Sequence, residues 1–367
     1  MPAPAFNELA AGRYTSCATT GAGALYCWGN SSEGRLGLDG AEVSPRPVAV
    51  RSPVPNATFA AVTAGRDHSC GLTTAQLIYC WGGNQSGQLG VDAGPRSLEP
   101  VLALFGRPLA TQLAAGDRTT CGLLVGTGAA CWGLADFGGR GIFNGTYSYT
   151  HAGVIGGVGY RALALQGAYA CGIPADSLPR CWSRGDTPVP TLGAGPLVTI
   201  TASPGVFCGL AVDSTATCWT GIGGPAATLS SQRFVSVAAS FTDGCGVEPA
   251  GGVQCWEWQA LAPAAKAGLP AVVTVVGGEH HFCGLTAQGV AWCWGDNASG
   301  QLGDGTRVTP ALPVAVQTAA RFTALAGGGA HTCGVTTTGG VLCWGSNTEG
   351  QLGNGAWVGI ATPTLVP

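Results

Sequence analysis

Sixteen cysteines divide this chain into eight copies of one pattern: Cys17 and Cys27, Cys70 and Cys80, Cys121 and Cys131, Cys171 and Cys181, Cys208 and Cys218, Cys245 and Cys255, Cys283 and Cys293, Cys333 and Cys343. Every pair is ten positions apart and no cysteine is left over. The nine residues between partners suit a tight β-hairpin, and the stretch AGRDHSCGLTTAQLIYCWGGNQSGQLG from Ala64 to Gly90 is the fullest version of the unit. A tryptophan follows the second cysteine, then a glycine-rich arm. Regular repeats override length as a guide to domain number, because neighbouring units share one core. The 367 residues are therefore read as one domain, with units starting near residues 6, 59, 110, 160, 197, 234, 272 and 322.

Three apolar series keep register with the cysteines. Phe6, Phe59, Ala110, Tyr160, Leu197, Phe234, Val272 and Phe322 lie eleven positions before each first cysteine. Leu9, Val62, Leu113, Leu163, Ile200, Val237, Val275 and Leu325 lie eight before it. Leu72, Leu123, Ile173, Leu210, Val247, Leu285 and Val335 lie two beyond it, with Thr19 the exception. These short, glycine-bounded runs rich in β-branched and aromatic residues predict strands, and no segment carries a capped 3.6-residue apolar stripe. Each unit offers a strand, a hairpin and often a fourth extended piece near proline (Pro45–Val50, Pro310–Val316, Pro363–Val366). The expected fold is all-β: a propeller of four-stranded blades, eight in number with seven the alternative.

Composition narrows the function. Only 10% of residues are charged, against 46% hydrophobic, so disorder driven by charge is excluded. The net charge is −3, Lys266 is the single lysine, and no Lys/Arg cluster exists, which argues against nucleic acid. No apolar run approaches the ~18 residues of a membrane span. The N-terminus enters the first repeat without a charged-then-apolar secretion signal, so either that signal has been removed or the chain is cytosolic. Sixteen regularly paired cysteines favour removal and an extracellular or secreted location, since disulfides persist in oxidising compartments. Asn30, Asn56, Asn84, Asn144 and Asn297 all sit in N-x-S/T and are glycosylation candidates. A repeated turn accounts equally well for Asn30, Asn84 and Asn297.

A second pattern overlies the first. The intervals between first cysteines are 53, 51, 50, 37, 37, 38 and 50. Units one, two, three, seven and eight carry glycine five before the cysteine (Gly12, Gly65, Gly116, Gly278, Gly328) and after the tryptophan (Gly29, Gly82, Gly133, Gly295, Gly345). Units four, five and six have Gln166, Ser203 and Ser240, then Ser183, Thr220 and Glu257, and they lack the arm. A closed ring would therefore have two sides, one arc with arms and one without.

The arms N30SSEGRLG, N84QSGQLG, N297ASGQLG and N347TEGQLG, with H-S-C-G-L and Y-C-W-G, resemble the regulator of chromosome condensation (RCC1) repeat family. That resemblance implies a β-propeller, most often of seven blades. The cysteine-paired variant is similar to secreted bacterial RCC1-like proteins and to the ectodomains of CRINKLY4-type plant receptor kinases. Unit three departs from it, with Leu134 to Gly145 in place of the arm motif.

In the expected hairpin Cys70 faces Cys80, Leu72 faces Ile78, and Thr73–Leu77 closes the loop. Opposed residues at ~4.5 Å are within disulfide range, giving one intra-blade disulfide per repeat. Zinc is the rival, but its cysteines usually stand two to four residues apart; free thiols are the other alternative. The tryptophans after the second cysteines are read as packing between blades. A light-sensing role, as in a plant ultraviolet receptor of this fold, would need a G-W-R-H-T signature. The sequence has GRYTS, GRDHS and GDRTT instead. His68, His281 and His331, two before a cysteine on three separate blades, suit turn-stabilising hydrogen bonds better than a shared metal or base.

No catalytic triad, carboxylate pair or phosphate loop can be assembled, so no enzyme, metal or cofactor is expected. Off-pattern aromatics are the partner-contact candidates: Phe137, Phe143, Tyr147 and Tyr149 in unit three, Trp256 and Trp258 in unit six, with Trp292 and Trp357 as further extras. The expected function is a non-catalytic extracellular interaction module for a protein or glycan partner. The alternatives are a structural subunit of a filament or coat, meeting copies of itself, and a proteinaceous enzyme inhibitor.

Overall fold

The computed structural model describes residues 5–38, 43–51, 57–91, 93–103, 109–125, 128–133, 153–155, 159–167, 169–182, 189–191, 193–203, 206–220, 227–229, 232–258 and 262–367. Its strands form eight four-stranded antiparallel sheets, each a meander in chain order, and the described residues include no helix. In blade 2 the strands are Phe59–Ala64, His68–Thr73, Ile78–Gly83 and Arg96–Leu102. The first strands begin at Phe6, Phe59, Ala110, Tyr160, Leu197, Ser236, Thr274 and Phe322. They contact one another all the way round, the last returning to the first. Eight blades thus close a ring with the first strands at its axis. Blade 1 (Phe6–Ala49) and blade 8 (Phe322–Val366) are each built from consecutive strands, without exchange.

The hairpins follow from local chemistry. Cys70 faces Cys80 and Leu72 faces Ile78, and the Thr73 amide donates to the Leu77 carbonyl at 2.9 Å. The loop needs one residue in the left-handed region, six beyond the first cysteine. Glycine fills it at Gly23, Gly251, Gly289 and Gly339, and Gln76, Ser177 and Ser214 adopt φ of 63°, 66° and 67°. All eight cysteine pairs are disulfides within their own blades, with Cα atoms 4.0 to 4.1 Å apart.

The core is eight small cores, one between each pair of neighbouring blades. Between blades 8 and 1 lie Cys333, Val335, Val341 and Cys343 on one side and Phe6 and Trp28 on the other. The same scheme places Trp81 against Cys17 and Cys27, and Trp132 against Cys70 and Cys80. Each disulfide therefore gives its blade an apolar wall, and the next blade's tryptophan covers it.

Candidate functional site

What separates the two arcs is how these walls are sealed. In the armed arc, the arm of one blade reaches over to the next. Its leucine is fully buried there (Leu36, Leu89, Leu302 and Leu352 are each 0% exposed). The residue before that leucine turns its carbonyl to the neighbour's tryptophan. Trp28 Nε1 donates to Gln351 O at 2.9 Å, Trp81 to Arg35 O at 2.8 Å, Trp132 to Gln88 O at 2.9 Å and Trp344 to Gln301 O at 2.9 Å. The same carbonyl takes a second hydrogen bond, from a hydroxyl on that neighbour: Ser16, Ser69, Thr120 or Thr332.

Three of these hydroxyls also meet a histidine of the preceding blade. His68 Nε2 lies 2.7 Å from Thr120 Oγ1, His281 Nε2 2.8 Å from Thr332 Oγ1, and His331 Nε2 3.0 Å from Ser16 Oγ. Because each hydroxyl spends its proton on the carbonyl, the histidine must donate, so Nε2 carries the hydrogen. The Nδ1 atoms, buried and without partners, are the bare nitrogens of neutral rings. Burial pushes His68 and His281 down to about 4 and His331 to about 3. These bonds join blades; they do not stabilise turns, which corrects the expectation for the histidines. The rings lie directly on Gly65, Gly278 and Gly328, where a Cβ would sit as close as 2.1 Å to the His281 and His331 rings. This explains the glycine five residues before the cysteine in those blades.

The arms also consume sequons. Asn84 and Asn297 are fully buried. Each Oδ1 accepts the amide of the leucine five residues on, and each Nδ2 donates to carbonyls within its own arm. They are structural turn residues, so burial removes them as glycan acceptors. In blade 1 the equivalent place falls to buried Ser31, whose hydroxyl accepts the Leu36 amide. Asn30 stands one position earlier, half-buried, and donates to Glu349 at 2.5 Å across the blade 8 boundary. Asn56 and Asn144 lie outside the described residues, as do Phe137, Phe143, Tyr147 and Tyr149.

Blades 4 to 7 have no hydroxyl before the first cysteine; at that place Phe207 of blade 5 stacks on Trp219 and Phe282 of blade 7 on Trp294, at 5.9 Å in each case. In blade 6 that position is Gly244, which makes room for Trp258 to meet Trp256 edge-on at 6.2 Å. Trp256 is 2% exposed and Trp258 is half-buried. The indole nitrogens of Trp182, Trp256 and Trp294 are buried with no hydrogen-bond partner.

Among the described residues two concavities stand out. One, of about 460 Å³, opens at the axis where the first strands end. Its rim carries Arg13, Arg66, Asp117 and Glu279. Arg13 of blade 1 reaches over Gly329 of blade 8 to pair with Glu279 of blade 7 at 3.1 Å. The other, of about 490 Å³, is a groove between blades 6 and 7, and Trp256, Phe282, Trp294 and the Cys245–Cys255 bridge line it. Cys255 is the one cysteine that is only partly buried. Among the described residues no group of His, Cys, Asp and Glu is arranged to hold a metal, and no helix is long and apolar enough to cross a membrane.

The class these features define is a closed, disulfide-clasped propeller with arm-sealed blades. A family model for the regulator of chromosome condensation (RCC1) repeat matches residues 7–35, 59–88, 272–301 and 322–351, and a second model of that repeat matches 22–72 and 288–335. All these matches fall within armed blades. The matched blades carry RCC1-like repeats, and the fold is a β-propeller of that kind. Curated relatives include the probable E3 ubiquitin-protein ligase HERC4 of Homo sapiens, 31% identical over 135 residues, covering 36% of this chain and 12% of that protein. The human X-linked retinitis pigmentosa GTPase regulator is 31% identical over 139 residues, covering 37% and 14%. The match thus spans only 12 to 14% of the length of these relatives. Human WBSCR16 shares the fold with a TM-score of 0.66 at 17% identity, covering 94% of both chains. Yeast RCC1 (Prp20), solved with Kap60 bound, gives 0.67 at 18%, covering 93% of this chain and 83% of that one.

Proposed function

We propose that this protein is a non-catalytic interaction module that works outside the cell, holding a protein or glycan partner on a rigid ring. The observation that carries this reading is that all sixteen cysteines are spent on bridges inside single blades, with none free. That arrangement suits an oxidising compartment. The propeller fold, the difference between sealed and unsealed arcs, and the use of three histidines as neutral struts all favour binding over catalysis. Asn30 is the sequon that reaches the surface among the described residues, and a glycan there belongs to the same reading.

The test is to immobilise the oxidised ring and challenge it with secreted proteins and glycans, with light scattering and a hydrolase screen alongside. Saturable binding of one partner by a monodisperse monomer without turnover is the expected result. Reproducible turnover overturns it in favour of an enzyme, and concentration-dependent polymerisation in favour of a coat or filament subunit.

A further inference from the structure

We propose that the groove between blades 6 and 7 is a binding site for a turn-forming peptide segment carrying a basic side chain. This deepens the interaction reading and rests on it.

Four other boundaries of the same ring show what this space holds when it is filled. There the x-Leu corner of a tight turn, closed by the amide of the glycine after the leucine on the carbonyl three residues back (Gly37 to Gly34, Gly90 to Gly87, Gly303 to Gly300, Gly353 to Gly350), lies on the next blade's tryptophan and on the glycine after it. A Cβ on Gly29 or Gly345 would touch the arm residue Gln351 or Gln301 at 3.3 and 3.1 Å. The corresponding Trp294 and Gly295 of blade 7 line the groove instead. Blade 6 has no arm to lay there. Trp294 is 4% exposed and its indole N–H lacks an acceptor; the N–H of Trp256, also without one, belongs to the boundary with blade 5, where Trp256 packs on Cys208 and Cys218. A buried, unmet donor costs about 1–3 kcal/mol. A backbone carbonyl arriving with a peptide removes that cost, as the Arg35 carbonyl does for Trp81.

The rim gives the charge. Asp243 and Glu257 sit directly opposite each other on adjacent strands of blade 6, and both line the groove. Like charges so placed repel. Among the described residues neither carboxylate has a cation within ion-pair distance. In the armed blades these two positions are held by histidine or threonine facing glycine, as in His68 opposite Gly82, so the acidic pair is peculiar to this boundary. Lys266 and His280 also line the groove, but Lys266 forms no ion pair with either carboxylate, and two unpaired carboxylates over an aromatic floor suit an ammonium or guanidinium group. Blade 1 offers an internal precedent. The arm residue Arg35 presents its carbonyl to Trp81 and its guanidinium to Asp67, 3.4 Å away. A cavity of about 490 Å³ falls within the usual ~300–1,000 Å³ of ligand pockets.

The experiment is calorimetric titration of the full oxidised chain with the capped pentapeptide Glu-Gly-Arg-Leu-Gly, the sequence of residues 33–37, beside its glutamine-for-arginine analogue and tetramethylammonium. Saturable binding of the arginine peptide is expected, on the order of tenfold tighter than the analogue, the size of one charged hydrogen bond. Asp243→Asn with Glu257→Gln should abolish that preference. The double variant relieves a repulsion and should melt no lower than the parent, so a lost preference reports on the site and not on folding. Absence of peptide binding, a preference unchanged in the double variant, or equally tight binding of tetramethylammonium would each overturn the proposal. Peptides that fail while a native partner still saturates the ring would remove the groove assignment and leave the interaction reading standing.

Discussion

Trp28 donates its indole hydrogen to the carbonyl of Gln351, 323 residues away in sequence and 2.9 Å away in space. This bond joins the first blade to the last. It repeats, without any chain closure to explain it, at the boundaries crossed by Trp81, Trp132 and Trp344.

Trp28→Phe and Trp294→Phe therefore make an informative pair. Both lose similar volume, but only the first loses a hydrogen bond, worth about 1 kcal/mol, and only the second removes an orphaned donor. Urea unfolding should show Trp28→Phe the less stable of the two by about 1–3 kcal/mol. Equal losses would mean that the arm carbonyls do not seal the ring.

Acid should loosen the armed arc. His68, His281 and His331 are held neutral by burial, at about 4, about 4 and about 3 against an ordinary 6.5. The folded state then binds fewer protons than the unfolded chain. The stabilisation is fully present above pH ~6.5 and is lost as pH falls from there toward 4. The slope of unfolding free energy against pH should approach the uptake of three protons near pH 5, and His331→Gln should lower it by one. A flat profile between pH 6.5 and 4 would contradict the neutral-strut assignment.

The glycines beneath these rings should not tolerate a methyl group. A Cβ at Gly328 would lie 2.1 Å from the His331 ring, whereas one at Gly21 meets nothing within 4 Å. Gly328→Ala is expected to cost ~1–3 kcal/mol or more by overpacking, and Gly21→Ala to stay within about 0.5 kcal/mol. Thermal melts of the two variants decide it.

At the axis, Arg13 and Glu279 are paired at 3.1 Å, but their side chains remain 38% and 24% exposed. Arg13→Ala should therefore shift stability by no more than about 1 kcal/mol. A larger loss in a double-mutant cycle with Glu279→Ala would make this pair a structural latch.

Much of the fold was legible in the sequence because its signals are local and periodic. Cysteines ten apart, the apolar residue eleven before them and the tryptophan after them each occupy one fixed place in every blade. The eight-unit count outweighed the seven blades usual for the resembling family. The site was less legible because its chemistry lies between repeats. No motif marks Ser16, Ser69, Thr120 and Thr332, although the sequence does carry a signal for them. The residue before the first cysteine is a hydroxyl only in blades that follow a recognisable x-Leu-Gly arm, and elsewhere it is Ala170, Phe207, Gly244 or Phe282. Reading each unit against its predecessor, and not against the consensus, exposes that coupling. The sequons misled for a related reason. Asn84 and Asn297 are selected by a turn that buries them, and N-x-S/T carries no mark of burial. Asn30 is out of step with them by one residue: counted from the second cysteine the four arms are of equal length, and Ser31 holds the place of Asn84 and Asn297.

Proteolysis of the folded, unreduced protein, followed by mass spectrometry of the linked peptides, most directly tests the premise that each blade is clasped by its own sulfur atoms. The prediction is eight bridges, each joining cysteines ten positions apart in one hairpin. Free thiols in the native protein, or a bridge between cysteines of different blades, would contradict it.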